Sequence, residues 1–157
     1  MRIEDIMCKQ VETCRSEDTL AQAAAKMWEH DIGALPVIGP DGRVTAVITD
    51  RDIAMDAYIT GKKLGELNVA EAMSRRLISV QPADDLRVAG DRMQSEQVHR
   101  IPVVDAKGLL KGIVTINDLA HHLQTARTAA GVGPAEVAGT LAAITKPRSV
   151  SSVRAAP

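Results

Sequence analysis

The sequence predicts a mixed α/β (α+β) fold in which two β-α-β-β-α repeats pack together by approximate twofold symmetry. Three observations carry this prediction. Residues 98–119, Val-His-Arg-Ile-Pro-Val-Val-Asp-Ala-Lys-Gly-Leu-Leu-Lys-Gly-Ile-Val-Thr-Ile-Asn-Asp-Leu, repeat the plan of residues 32–53 at a shift of 66 residues without a gap. Self-similarity at a fixed period marks a repeat architecture. The hydrophobic pattern also switches between strand and helix periods in the same order in both halves. Finally, 157 residues make one ordinary domain or two small halves sharing one core, and neither half alone has many residues with which to bury one.

The elements follow in pairs. Residues 3–7 (Ile-Glu-Asp-Ile-Met) and 69–73 (Val-Ala-Glu-Ala-Met) are one leader written twice. Residues 11–14 and 77–80 read as short strands. Each precedes a helix with apolar residues at helical spacing: Leu20, Ala23, Ala24 and Met27 in the first half, Leu86, Ala89 and Met93 in the second. Asp18 and Asp84 stand just before these runs and are the expected caps for the free N–H groups. The helices end near His30 and Glu96. Two strands follow in each half, over 35–38 and 44–48 and again over 101–104 and 109–114. The first pair is joined by Gly39-Pro40-Asp41-Gly42 and the second around Lys107-Gly108, both turn signals. Continuous apolar runs at 46–48 and 112–114 suit strands covered on both faces. A last helix opens at Thr49 and at Thr115.

This reading divides the chain into repeat 1 (residues 1–60), a linker with Gly61 and Gly65 (61–68) and repeat 2 (69–125). Residues 126–157 are rich in Ala, Gly, Thr, Ser and Val, with Pro134, Pro147 and Pro157. They are expected to be a low-complexity, flexible tail with a marginal helix over 136–144.

Composition narrows the function. Aromatic residues make up 1% of the chain, so the core is aliphatic and base-stacking platforms are not expected. The net charge is −1 and no Lys/Arg run exceeds two residues, which argues against a nucleic-acid surface. No apolar stretch reaches bilayer length, and Arg2, Glu4 and Asp5 interrupt any signal segment. A cytoplasmic protein without membrane contact is expected. Cys8 and Cys14 match no zinc spacing and read as reduced thiols.

The repeated leader ending in Met7 or Met73, the Leu/Ile-Pro-Val of 35–37 and 101–103, the Asp-Gly turn and Thr-x-x-Asp before a helix together resemble the cystathionine β-synthase (CBS) domain. Two in tandem look like a CBS pair, or Bateman module, over residues 1–125. His30-Asp-Ile-Gly-Ala-Leu-Pro-Val and Ile48-Thr-Asp-Arg-Asp-Ile look especially similar to small stand-alone bacterial CBS-pair proteins, including the mycobacterial hypoxic response protein subgroup.

Thr49-x-x-Asp52 and Thr115-x-x-Asp118 are helix capping boxes by their spacing. A helix N-terminus also offers free N–H groups to phosphate. The resemblance implies that Asp52 and Asp118 each hold a ribose, with Thr49 and Thr115 near the phosphates of an adenosine nucleotide, in two pockets of the cleft between repeats. His99-Arg100 resembles the phosphate-contacting pair of adenylate-sensing CBS domains, and a guanidinium can grip phosphate oxygens bidentately. The first repeat has Gly33-Ala34 there instead. Arg51 is a further candidate phosphate contact; its counterpart is Asn117. The adenine-sandwiching groups that the resemblance implies fall at Thr13, Ile32 and Ala34 and at Ser79 and Val98.

No nucleophile elbow, Walker loop or metal-ligand cluster is present, so no catalytic or metal residue is assigned and an enzyme is not expected. His30, His121 and His122 read as surface histidines. The expectation is a regulatory CBS pair. It needs no cofactor, takes AMP, ADP, ATP or S-adenosylmethionine as regulatory ligand, forms a homodimer and modulates an unidentified effector protein. Leu20, Met27, Ile53, Met55, Leu119 and Leu123 are available for core and dimer faces. Two other readings stand beside it: a stress-associated interaction module with an empty cleft, and a redox or metal sensor using Cys8, Cys14 and the histidines.

Overall fold

The computed structural model describes residues 1–125 and 133–146, the side chains of 123–125 excepted. The described elements are β1 (Cys14–Arg15), α1 (Leu20–Glu29), β2 (Ala34–Ile38), β3 (Val44–Thr49), α2 (Asp50–Thr60), α3 (Val69–Ala72), α4 (Leu86–Glu96), β4 (Arg100–Val104), β5 (Leu110–Thr115), α5 (Ile116–Thr125) and α6 (Pro134–Ile144). Single 3₁₀ turns cover Ile3–Asp5 and Leu64–Glu66. The predicted β-α-β-β-α order holds in both halves, but the first strand is reduced in each: the strand expected over 11–14 is only Cys14–Arg15. In the first half β1 pairs in parallel with β2 through Cys14–Val37. In the second half the expected strand over 77–80 shrinks to a single parallel bridge, Val80 with Val103.

The chain folds as two compact units, and these interleave the repeats. Among the described residues, one unit comprises 1–9, 78–106, 111–125 and 133–146; the other comprises Gln10–Leu77 and Lys107–Leu110. The leaders are thus exchanged: residues 1–9 fold with the later half and residues 69–73 with the earlier one. The hydrogen bonds that hold them are the same in both units at the 66-residue shift. In the first unit the N–H groups of Ile3, Glu4 and Leu86 donate to the carbonyls of Asp84, Pro82 and Met1, each at 3.0 Å. In the second, those of Val69, Ala70 and Leu20 donate to Asp18, Ser16 and Leu67 at 2.8, 3.0 and 2.9 Å. Ile3, Leu67 and Val69 are fully buried. Leu67 therefore belongs to a core, although it lies in the stretch 61–68 expected as a linker. Gly61 ends α2 there with φ +66°, a left-handed conformation that glycine adopts without steric cost.

Each unit has its own aliphatic core, which corrects the expectation of a single core shared between the halves. Ile3, Leu86, Met93, Ile101, Val103, Val114 and Leu119 centre one, and Leu20, Met27, Leu35, Val37, Ile48 and Ile53 the other. Leu20, Met27, Ile53 and Leu119 are accordingly spent on cores. Met55 is exposed, and the Leu123 side chain lies outside the described residues.

Two local expectations are corrected. Asp18 and Asp84 do not cap the helices. Each carboxylate accepts from a backbone N–H three residues earlier, Arg15 or Gln81, at 2.8 Å in both, and closes the turn before the helix. The caps are the next residues. Thr19 forms a capping box with Gln22, and Asp85 accepts from the Arg87 N–H. That bond is the main reason the Asp85 carboxyl sits below its usual pKa. The tail is corrected too: residues 134–144 form α6, whose Val137, Thr140 and Ile144 are buried against α4 and α5. Pro134 occupies the first turn, where its missing N–H costs nothing. Residues 126–132 and 147–157 fall outside the described part.

Candidate functional site

In both units a strand runs straight into a helix at Thr-x-x-Asp. Thr49 ends β3 and Thr115 ends β5. The Thr49 N–H and hydroxyl both donate to Asp52 Oδ2, at 3.0 and 2.7 Å, and the Asp52 N–H donates back to Thr49 Oγ1 at 3.2 Å. At the second corner the same three bonds join Thr115 and Asp118 at 2.7, 2.8 and 3.3 Å. The boxes predicted from spacing are thus formed in full. In each, Oδ2 takes both bonds and Oδ1 takes no part in the box. Both carboxylates are half-buried.

The sheet brings further predicted residues to these corners. Ala34 pairs with Thr49 across β2 and β3, and the Asp50 N–H donates to the Gly33 carbonyl at 3.3 Å. In the other unit the Ile116 N–H donates to the His99 carbonyl at 2.9 Å. His99 and Arg100 therefore enter β4 beside the N-terminus of α5. His99 is exposed and Arg100 half-buried, and among the described residues no carboxylate pairs with the Arg100 guanidinium. Arg51 is exposed on the first turn of α2. Ala34 is buried, Val98 packs on the core of its unit, and Ile32 lines the side of α1 and α2. A polar cavity of about 290 Å³ adjoins Asp118, lined also by Asp5, Ile6, His121 and His122. The leader residues Asp5 and Ile6 reach it because the leaders are exchanged, which chain order does not reveal.

Thr13 and Ser79 carry a contact the sequence reading missed. Lys26 Nζ on α1 donates to the Thr13 carbonyl at 2.7 Å, and the Arg92 guanidinium on α4 donates to the Ser79 carbonyl. Both pairs, 13 with 79 and 26 with 92, are related by the 66-residue shift. The sequence shows only a cation at equivalent helix positions, Lys26 and Arg92, and nothing in it marks a backbone carbonyl as the acceptor.

The thiol of Cys14 is 2% exposed; burial, with Asp18 adding to it, pushes its pKa up to about 11. A thiol that keeps its proton is a poor nucleophile and metal ligand. Cys8 is exposed. Among the described residues no group of three or more His, Cys, Asp or Glu is placed to hold a metal ion, and no helix is long and apolar enough to cross a membrane.

These repeated strand-to-helix corners on paired β-α-β-β-α units define a tandem CBS module. The family model for the CBS domain matches residues 3–56 and 69–125, and the chain belongs to that family. The CBS domain-containing protein YhcV of Bacillus subtilis is 38% identical over 118 residues, covering 75% of this chain and 82% of that protein. Hypoxic response protein 1 of Mycobacterium tuberculosis is 36% identical over 119 residues, covering 76% and 82%. The crystal structure of Hypoxic Response Protein I with two coordinated zinc ions has a TM-score of 0.72 at 35% identity, covering 78% of this chain and 99% of that one. The CBS domain pair of protein MJ0100, in complex with 5′-methylthioadenosine and S-adenosyl-L-methionine, has a TM-score of 0.69 at 28% identity, covering 77% and 94%.

Proposed function

We propose that this CBS pair is a regulatory sensor of an adenosine-containing ligand, AMP, ADP, ATP or S-adenosylmethionine, held at the Thr-x-x-Asp corners. One observation carries the reading. Each capping aspartate spends only Oδ2 on its helix, so Oδ1 remains an acceptor for the hydroxyls of a ribose, on a helix end whose N–H groups favour anions. The corner with Thr115 and Asp118 is the better equipped for a phosphate, because Arg100 and His99 stand beside it. The corner with Thr49 and Asp52 has Ala34 there and only Arg51 to assist. The bound adenosine compounds of the MJ0100 pair support the ligand class. Thr13, Ile32, Ala34, Ser79 and Val98 are the proposed adenine-side groups. Lys26 and Arg92 hold the Thr13 and Ser79 carbonyls until a base edge takes them.

The module acts by binding and performs no catalysis. A ligand shifts its conformation by the difference in affinity for the two states, and a homodimer passes that shift to an effector protein. Met55, Tyr58 and Ile59, exposed together on one face of α2, suit self-association. The test is a thermal-shift panel of the four ligands. A ligand at 100 times its dissociation constant adds about 2.7 kcal/mol, a rise of several degrees for a chain of this size. Unchanged melting with all four at millimolar concentration would refute the ligand class.

A further inference from the structure

We propose that Lys26 and Arg92 select the purine of the ligand: each donates to a ring nitrogen of adenine once the base amino group has taken the carbonyl that the cation holds. This rests on the adenosine reading of the two corners and adds the residues that read the base edge. In the unit of α1 and α2, β1 and β2 run parallel with Cys14 beside Val37. Thr13 therefore lies at the end of the sheet where Ala34 begins β2 and pairs with Thr49. α1 connects β1 to β2, so its last turn returns to that same end. Its exit is fixed by Asp31, left-handed at φ 51°, and by the Ile32 N–H, which donates to the Met27 carbonyl at 2.9 Å. Lys26, one residue before Met27, reaches the Thr13 carbonyl at 2.7 Å. The other unit repeats each step. Val80 bridges Val103 in parallel, Gln97 is left-handed at φ 52°, the Val98 N–H donates to the Met93 carbonyl at 3.1 Å, and Arg92 donates to the Ser79 carbonyl.

These two cations are not neutralised. Arg2, Arg15, Arg43 and Arg87 each pair with a carboxylate, at 3.3, 3.8, 3.4 and 3.3 Å. Among the described residues neither Lys26 nor Arg92 does so, and each is bonded instead to a neutral carbonyl. Across the 66-residue shift the neighbouring helix positions change in kind, Ala25 to Asp91, Trp28 to Gln94 and Glu29 to Ser95, while a cation stands at both 26 and 92.

Chemistry names the base. Adenine carries an amino donor, N6, between two ring acceptors, N1 and N7. A carbonyl oxygen beside an ammonium or guanidinium is the complement of that edge, an acceptor for the amino group next to a donor for a ring nitrogen. Guanine and hypoxanthine carry an oxygen where adenine carries N6, which sets oxygen against the Thr13 or Ser79 carbonyl. With the ribose held at Asp52 or Asp118, the base cannot slide to offer another edge atom. Arg92 presents a planar fork of donors and Lys26 a point charge on a flexible stem, so the corner with Arg92 reads the base more strictly.

The test is calorimetric titration of the full chain with AMP and S-adenosylmethionine and with their 1-deaza and 7-deaza forms, each of which lacks one ring acceptor and keeps N6. On wild type, one of the two deaza forms should bind about tenfold more weakly than its parent. This comparison needs no variant. In Lys26→Met/Arg92→Met the parent should fall to the level of that deaza form, and Arg92→Met alone should remove most of the difference. Asp118→Asn should weaken parent and deaza forms by the same factor and leave their ratio as in wild type. Equal binding of the parent and both deaza forms to wild type overturns the proposal and leaves the adenosine reading standing. A ratio that persists in Lys26→Met/Arg92→Met does the same, and reduces the two cations to ties between helix and strand. No heat with any of these ligands overturns both.

Discussion

Replacing Gly112 by alanine tests the exchanged leader. Gly112 lies in β5, where a Cβ would come 2.7 Å from the Cys8 carbonyl oxygen and 2.8 Å from Met7 Sδ. Met7 can swing its thioether away, but the carbonyl belongs to a backbone bridge. The Cys8 N–H donates to the Ile113 carbonyl and the Ile113 N–H to the Cys8 carbonyl, both at 2.9 Å. Restoring an ordinary contact needs a retreat of roughly 0.7 Å, which stretches both bonds beyond good geometry. Overpacking of this kind costs about 1–3 kcal/mol, and a weakened hydrogen bond adds about 0.5–1 kcal/mol. The expected loss is about 2–3 kcal/mol, read as a fall of about 5–10 °C in Tm or a lower urea midpoint at unchanged m-value. The equivalent residue of the other half is Ala46, which already carries the Cβ in a packed site, so Ala46→Gly loses only a buried methyl, about 1 kcal/mol. A Gly112→Ala protein within about 0.5 kcal/mol of wild type would show that the leader does not pack on β5 as described.

Further outcomes follow from other sites. Asp118→Ala removes the acceptor of both Thr115 bonds and is expected to lower stability by about 1 kcal/mol in urea denaturation, whereas Asp118→Asn keeps an oxygen for the cap and loses less than half of that. Thr140→Val leaves the Gln94 amide without its partner inside the α6 seat, so α6 should loosen at a cost of about 1–3 kcal/mol, seen as faster amide exchange over 134–144. Cys14 should resist a thiol reagent at pH 8 in the folded protein while Cys8 reacts. Because the folded state holds the Cys14 proton more tightly than the unfolded state, its contribution is intact below pH 9 and is lost as pH rises toward about 11, roughly 2–3 kcal/mol in all. A folded protein whose Cys14 labels as fast as Cys8 would contradict that burial.

Much of the fold was legible because the repeat states it twice. The apolar spacing of Leu20, Ala23 and Met27 recurs at Leu86, Ala89 and Met93, and all six are buried. The Thr-x-x-Asp boxes formed because spacing fixes a local hydrogen-bond pattern. The misses have physical causes. Asp18-Thr19 and Asp84-Asp85 each offer adjacent capping side chains, and only the second of each pair is in register with the helix. Gln22, three residues after Thr19, was the available clue. Val80 pairs at one residue only, because strand length is decided by a neighbour and not by β-propensity. The exchange of leaders is non-local: the 3–7 and 69–73 sequences fit either half equally well. In α6 the stripe Val137, Thr140, Ile144 places a polar residue at its centre, which hides an amphipathic face. At the candidate site the Thr–Asp boxes were readable from the repeat, and its break at 99–100 is what singles out His99 and Arg100 for the proposal. The engaged carbonyls of Thr13 and Ser79 were not, since backbone partners leave no letter in the sequence.

The proposed role of Asp52 and Asp118 is to serve a ligand with the oxygen their helices do not use. Its most direct test is calorimetric titration of AMP, ADP, ATP and S-adenosylmethionine into wild type, Asp52→Asn, Asp118→Asn and Arg100→Gln. At least one of the four should bind wild type at submillimolar concentration. Asp118→Asn should weaken it about tenfold or more while melting remains near wild type, and Arg100→Gln should weaken phosphate-bearing ligands most, with Asp52→Asn the mildest of the three. Absence of heat with all four ligands, or equal affinity in wild type and Asp118→Asn, would contradict the account and leave Thr115 and Asp118 as a helix cap alone.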